Sequence, residues 1–179
     1  MDIESIIERI QLGEKSAYAE IVVRFQKPLF GFLGRMGLGR AVCEEIAQET
    51  FVRAWLNLGR YDPSISRFST WIFTIARNLA LREIETVQRR PEYSVALPEI
   101  PCDRHDPHEK LVHSRSIDRL QQALRSLSPA DRSLLALAYS ENMEMAEIAS
   151  IEGCSKGALK VRIHRAKRRL QDFMEKDDG

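Results

Sequence analysis

Two stretches of this chain concentrate side chains able to bind nucleic acid. Residues 67–90, RFSTWIFTIARNLALREIETVQRR, place Phe68, Trp71 and Phe73 within six positions and run on without Gly or Pro. Cations meet phosphates and flat rings stack on bases, so arginines beside aromatics suit a single strand. The competing reading is an ordinary amphipathic helix with a solvated basic end. Residues 156–171 hold seven Lys/Arg and no acid, which suits the backbone of a duplex. A third group, Cys102, His105, His108 and His113, has the residue types of a zinc site, but its Pro-rich, acidic surroundings suit a solvated connector better. No catalytic set is present. The sequence has no Gly-rich phosphate loop, no nucleophile motif and no HExxH, and no cofactor is implied.

These side chains need elements to carry them, and the periodicity predicts helices throughout. In 67–90, Ile72, Ile75, Ala76 and Leu79 share one face, Thr70, Thr74, Arg77 and Asn78 the opposite one, and Trp71 lies at the border. Upstream, 5–12 reads as a short amphipathic helix closed by Gly13. Ser16 is positioned to cap a helix reaching about Gly37, and a third helix spans 41–58. Ser128-Pro129-Ala130-Asp131 is a helix start with a capping hydroxyl, a first-turn proline and an early acid. Helices over 131–139, 145–151 and 155–174, with a tight turn at Glu152-Gly153-Cys154, have helix-turn-helix proportions. On the last helix Leu159, Ile163, Ala166 and Leu170 form an apolar face, and Gly157, Lys160, Val161, His164, Arg165 and Arg168 a basic one. The second helix of such a motif enters the major groove. No strand is predicted, so the fold class is all-α.

Charge divides the chain further. The overall charge is +1, yet residues 1–90 carry 13 Lys/Arg against 11 Asp/Glu, and 114–179 carry 12 against 10. Residues 91–113 carry 2 against 5 and include four of the seven prolines. This composition predicts two small helical domains, 1–90 and 113–179, joined by an acidic, flexible linker over 91–112. Three scattered cysteines imply no disulfide framework. No run approaches the roughly 18 apolar residues of a membrane span, and the acidic first residues do not resemble a secretory signal, so a cytoplasmic protein with no membrane insertion is expected.

Taken together, these motifs resemble a bacterial sigma factor of the extracytoplasmic-function (group IV) type, sigma-70 family, in family order over about residues 5–174. Glu44-Glu45-Ile46-Ala47-Gln48-Glu49-Thr50-Phe51 with Ala54-Trp55 is similar to the core-polymerase-binding segment. Tyr61-Asp62-Pro63 and residues 68–78 resemble the promoter-melting and −10 segment, and Gly157, Lys160, Arg162, Ile163, His164 and Arg165 the −35 recognition helix. The resemblance implies that Glu45, Gln48, Glu49, Phe51 and Trp55 dock on a coiled coil of the largest polymerase subunit, with the flap of the second-largest subunit as a further contact. It implies that Tyr61, Arg67, Phe68, Trp71, Arg77 and Asn78 engage the single-stranded −10 element. Ser155, Lys156, Lys160, Val161, Arg162, His164, Arg165 and Arg168 would engage the −35 duplex. It implies an anti-sigma factor as a further partner, and catalysis by the polymerase alone. On residues alone, Phe51, Trp55 and Trp71 also read as core. Glu144 stands where the family commonly has a capping Ser or Thr, which predicts a weaker start for the helix at 145. The rival reading is a stand-alone helix-turn-helix regulator that binds duplex operator DNA, for which the paired polymerase-binding and aromatic segments would have no use.

Overall fold

A computed structural model describes residues 2–89, 122–140 and 143–176. Every regular element among them is helical. Helix α1 (Ile3–Gln11) starts where the Asp2 carboxylate accepts a hydrogen bond from the Ser5 amide at 2.8 Å, and it buries Ile6, Ile7 and Ile10. The expected Ser16 cap is absent. A 3-10 turn, Lys15–Ala17, leads directly into α2 (Tyr18–Arg35), and Ala17 is already helical at φ −60 and ψ −18. A chain that enters a helix from a helical turn needs no side chain to satisfy its first amides.

Helix α2 turns Ile21, Phe25, Leu29, Phe32 and Leu33 into the core. Pro28 lies inside it on the solvent side, where the carbonyl it leaves unpaired can meet water. Gly37, at φ 80, ends the turn after α2 in a conformation that side chains resist. Helix α3 (Arg40–Asn57) and α4 (Phe68–Arg89) pack on each other and on α2. Phe25 meets Phe68 edge-on at 5.4 Å between ring centroids, and Phe32 meets Phe73 at 5.6 Å.

In the second half, residues 122–125 are helical, and Arg132, itself buried, donates to the carbonyls of Leu127 (3.2 Å) and Arg125 (3.3 Å). That fixes the turn before α5 (Pro129–Ala138). The Ser128 hydroxyl caps α5 by accepting from the Asp131 amide at 3.1 Å, as expected. Helix α6 (Met145–Ile151) and α7 (Lys156–Lys176) follow, separated by a turn with Gly153 at φ 63. The weak start expected for α6 is corrected: the Glu147 carboxylate reaches back to accept from the Glu144 amide at 3.1 Å.

The two halves are not held apart. Helix α5 packs on α2 and α4, and α6 packs on α4. Leu134, Leu137, Ile148 and Ile151 belong to the same contiguous core as Phe32, Ile72, Phe73 and Ala76. A smaller cluster of Leu127, Leu135 and Ala166 pins α7 beneath α5. The expected linker, 91–112, and the Cys102, His105, His108 and His113 group lie outside the described residues.

Candidate nucleic-acid interface

Helix α4 presents two different polar sides. Residues 71, 75, 78 and 82 recur at helical spacing, and with α3 and the turn after it they line a cleft bounded by Arg53, Asn57, Arg60, Trp71, Ile75, Asn78 and Arg82. Three guanidinium groups, two amides and an indole edge form a surface for phosphates, base edges and a base face. Asn78 is exposed and Trp71 half-exposed. Arg53, Asn57, Arg60 and Arg82 were missed by the sequence reading. Their signal was present, because Arg53 and Asn57 repeat at i, i+4 on the helix before the 58–67 loop.

Arg77 belongs to the other side, since adjacent helical residues point about 100° apart. Its side chain is only 15 % exposed and reaches the Glu152 carboxylate at 2.8 Å. Thr70, expected on an open polar face, is buried: its hydroxyl donates to Glu147 at 3.3 Å, as Ser69 does at 2.8 Å. Arg67 is exposed and pairs with Glu144 at 3.1 Å. Each correction has one cause, the packing of α6 and the turn after it on α4.

Two of the aromatics expected to meet DNA are structural. Phe68 is fully buried between Phe25 and Tyr61. Tyr61 is buried too, its hydroxyl donating to the Ser66 carbonyl at 3.1 Å. Burial, with the charges of Glu4 and Asp62, raises the phenol above its ordinary titration range. That bond closes the 61–66 loop, where the Ser64 hydroxyl and amide hold the Asp62 carboxyl below its usual range. Both rings instead brace Trp71, each 5.4 Å from its centroid.

On α3, Glu45 and Gln48 are exposed, and Glu49 pairs with Arg53 at 2.6 Å. Phe51 and Trp55 are half-buried. Trp55 packs edge-on against Tyr18 at 4.9 Å, and the Tyr18 hydroxyl donates to the Phe51 carbonyl at 2.6 Å. Val52 and Leu56 continue the Glu45–Gln48 stripe and are 51 % and 73 % exposed. Apolar side chains open to water beside acids and amides make a helix face fit for another helix. Neither was singled out from the sequence, where an aliphatic side chain on a helix reads as core until the packing shows it exposed.

Helix α7 buries Leu159 and Ala166 and half-buries Ile163 and Leu170. Ser155, Lys156, Lys160, Val161, His164, Arg165 and Arg168 all lie exposed. The Ser155 hydroxyl accepts from the Ala158 amide at 3.2 Å and caps the helix. Arg162 departs from this row by turning inward to Glu152 (3.4 Å) and Asp131 (3.9 Å). An exposed cationic helix preceded by a short helix and a glycine turn has the geometry that enters a major groove.

One chain thus carries a cleft suited to a single strand and a helix suited to a duplex, the make-up of a promoter-reading protein of the transcription machinery. Residues 21–90 match the family model described as Sigma-70 region 2, and residues 117–170 that described as Sigma-70, region 4. The ECF RNA polymerase sigma factor RpoE of Cereibacter sphaeroides is 32 % identical over 162 residues, 90 % of this chain and 88 % of that one. The ECF RNA polymerase sigma factor SigW of Bacillus subtilis is 28 % identical over 96 % of both chains. Among solved structures, CnrH in complex with the cytosolic domain of CnrY has the same fold, with a TM-score of 0.69 at 23 % identity over 96 % of each chain. RpoE with the anti-sigma factor NepR from Bartonella quintana also has a TM-score of 0.69, at 21 % identity over 88 % of this chain and 96 % of that one.

The chain belongs to the extracytoplasmic-function group of the sigma-70 family of RNA polymerase sigma factors. Its work is to bind core RNA polymerase and direct it to promoters. No helix among the described residues is long and apolar enough to cross a membrane.

Proposed function

We propose that residues 1–90 and 113–179 act as the two readers, each with its own surface. Glu45, Gln48, Val52 and Leu56 on α3 dock on the coiled coil of the largest polymerase subunit, with Phe51 and Trp55 holding that face in shape. The cleft with Trp71, Asn78 and its three arginines takes the unpaired non-template −10 strand, and exposed Arg67 holds a neighbouring phosphate. Capturing one unstacked base offsets the few kcal/mol per step that melting costs. Lys156, Lys160, Val161, His164, Arg165 and Arg168 read the −35 duplex, with Ser155 at the helix start.

The observation that carries this reading is the joint presence of the cleft and the free basic row on α7. The partners named for CnrH and the Bartonella RpoE support control of this chain by an anti-sigma factor. The protein works in the cytoplasm, without catalysis of its own. Run-off transcription with core polymerase, on DNA from upstream of its own operon, tests the assignment. A specific start lost with both Asn78→Ala and Arg165→Ala supports it. A start that survives either change removes that residue from the readers.

A further inference from the structure

Ile65 lies on the loop between α3 and α4 and is 81 % exposed. A single aliphatic side chain in water is ordinary by itself. What sets Ile65 apart is its mounting and its place. The loop leaves the cleft at Arg60 and returns to it at Trp71, with exposed Arg67 between. Ile65 therefore stands between two cations, in sequence between Ser64 and Ser66, with no apolar neighbour in the chain.

The loop is tied on both sides of this residue. The Ile65 amide donates to the Asp62 carbonyl at 3.1 Å and closes a turn with Pro63 at its second position, where the ring fixes φ. The Ser64 amide donates to the Asp62 carboxylate at 2.8 Å. On the far side the Tyr61 hydroxyl donates to the Ser66 carbonyl at 3.1 Å. The Tyr61 ring is itself held, 5.3 Å from buried Phe68 and 5.4 Å from Trp71. An apolar tip is thus fixed to the same rings that brace the indole of the cleft. A tip already held in place loses little conformational freedom when it meets a partner.

We propose that Ile65 is a wedge that enters the base stack at the edge of the −10 element while the neighbouring base passes into the cleft. The inference rests on the strand-binding role given above to that cleft. Aliphatic side chains pushed between base steps unstack them, and the cost is met by burying the side chain and by the contacts that the distorted duplex makes. Full burial of an isoleucine corresponds to a preference of about ten- to a hundredfold, and a base step covers part of it. Arg60 and Arg67 lie on either side to hold the phosphates that flank the opened step. The wedge acts while the duplex opens, and the cleft acts on the strand once it is open. Tyr61 is a positioning residue in this scheme, acting through the loop it closes.

The test uses the full chain assembled with core polymerase and promoter DNA carrying 2-aminopurine in the −10 element, whose fluorescence rises on unstacking. Two templates are compared, one fully paired and one mismatched across the −10 element so that it is already open. Ile65→Ser should slow opening of the paired template about five- to tenfold and alter binding of the open one less than about twofold. Ile65→Leu, which keeps the apolar volume, should stay within about twofold of the parent on both. Tyr61→Phe keeps the ring and frees the loop from its tie to Ser66. It should slow opening about threefold on the paired template and spare the open one. Trp71→Ala, which alters the cleft itself, should weaken both templates.

Equal losses on the two templates for Ile65→Ser would make Ile65 a strand contact and overturn the wedge. Unchanged opening of the paired template would overturn it too. Weaker assembly of Ile65→Ser with core polymerase, read by anisotropy of the labelled chain without DNA, would make the residue a polymerase contact and overturn it as well. If Trp71→Ala leaves the open template untouched, the cleft reading fails. Loss with Trp71→Ala but none with Ile65→Ser rejects the wedge alone.

Discussion

Replacing Glu152 by alanine removes the carboxylate on which three helices converge. Two charge-assisted bonds from Arg77, one from buried Ser133 and a longer contact with Arg162 are lost together. Breaking a fully buried pair on one side costs about 3–5 kcal/mol. Arg77 is 15 % and Arg162 30 % exposed, so both can regain some water and the cost falls to about 2–3 kcal/mol. For a chain of this size that corresponds to a melting point lower by about 5–10 °C. Urea unfolding followed by circular dichroism measures the change. Glu152→Gln, which keeps acceptors for Ser133 and one Arg77 nitrogen, should lose about half as much. In a double-mutant cycle with Arg77→Ala, the two losses should overlap by at least about 1 kcal/mol. A loss under about 1 kcal/mol for Glu152→Ala, or strict additivity in the cycle, would refute the claim that this carboxylate joins the halves.

Other consequences can be measured independently. Trp71→Ala, which removes the indole edge of the cleft, should weaken strand capture by the polymerase complex by about 1–3 kcal/mol, read as slower open-complex formation on a promoter. Arg165→Ala should weaken duplex binding in that complex by about 1–3 kcal/mol while leaving the melting point within about 2 °C, because the side chain is exposed. Cys43 is buried, and burial with nearby Glu44 pushes its thiol up to about 11 from an ordinary value of 9. Above pH 9 the unfolded chain gives up that proton while the folded chain keeps it. Stability should then fall by about 1.4 kcal/mol per pH unit until the folded thiol ionises, and Cys43→Ala should flatten the fall between pH 9 and 10. Above pH 10 the buried Tyr18 phenol, raised by burial, adds a decline of its own that the variant keeps.

Local chemistry was legible and long-range pairing was not. The bounds of α6, the Ser128 cap of α5 and the buried face of α7 followed from periodicity and capping, which are written within a few residues. Glu144, Glu147 and Glu152 read just as well as helix-start and turn residues, because the sequence says nothing of the arginines 75 to 80 positions earlier that they meet. Phe68 and Tyr61 misled for a related reason: an aromatic that supports a stacking ring has the same composition signal as one that stacks. The cleft was half visible, with Trp71 and Asn78 found on α4 and Arg53, Asn57, Arg60 and Arg82 overlooked, since two helices must pack before a cleft exists.

The apolar seam between the halves gives the chain a response to temperature. Contact between hydrocarbon surfaces weakens on cooling, and the dehydration that opposes ion pairing eases on warming. The leucines and isoleucines of α5 and α6 and the carboxylates beside them therefore push the same way. Warming within the working range should hold the two halves together more firmly, and cooling should loosen them. The sign of that thermal response is set by the seam itself, with no separate sensor domain needed to produce it.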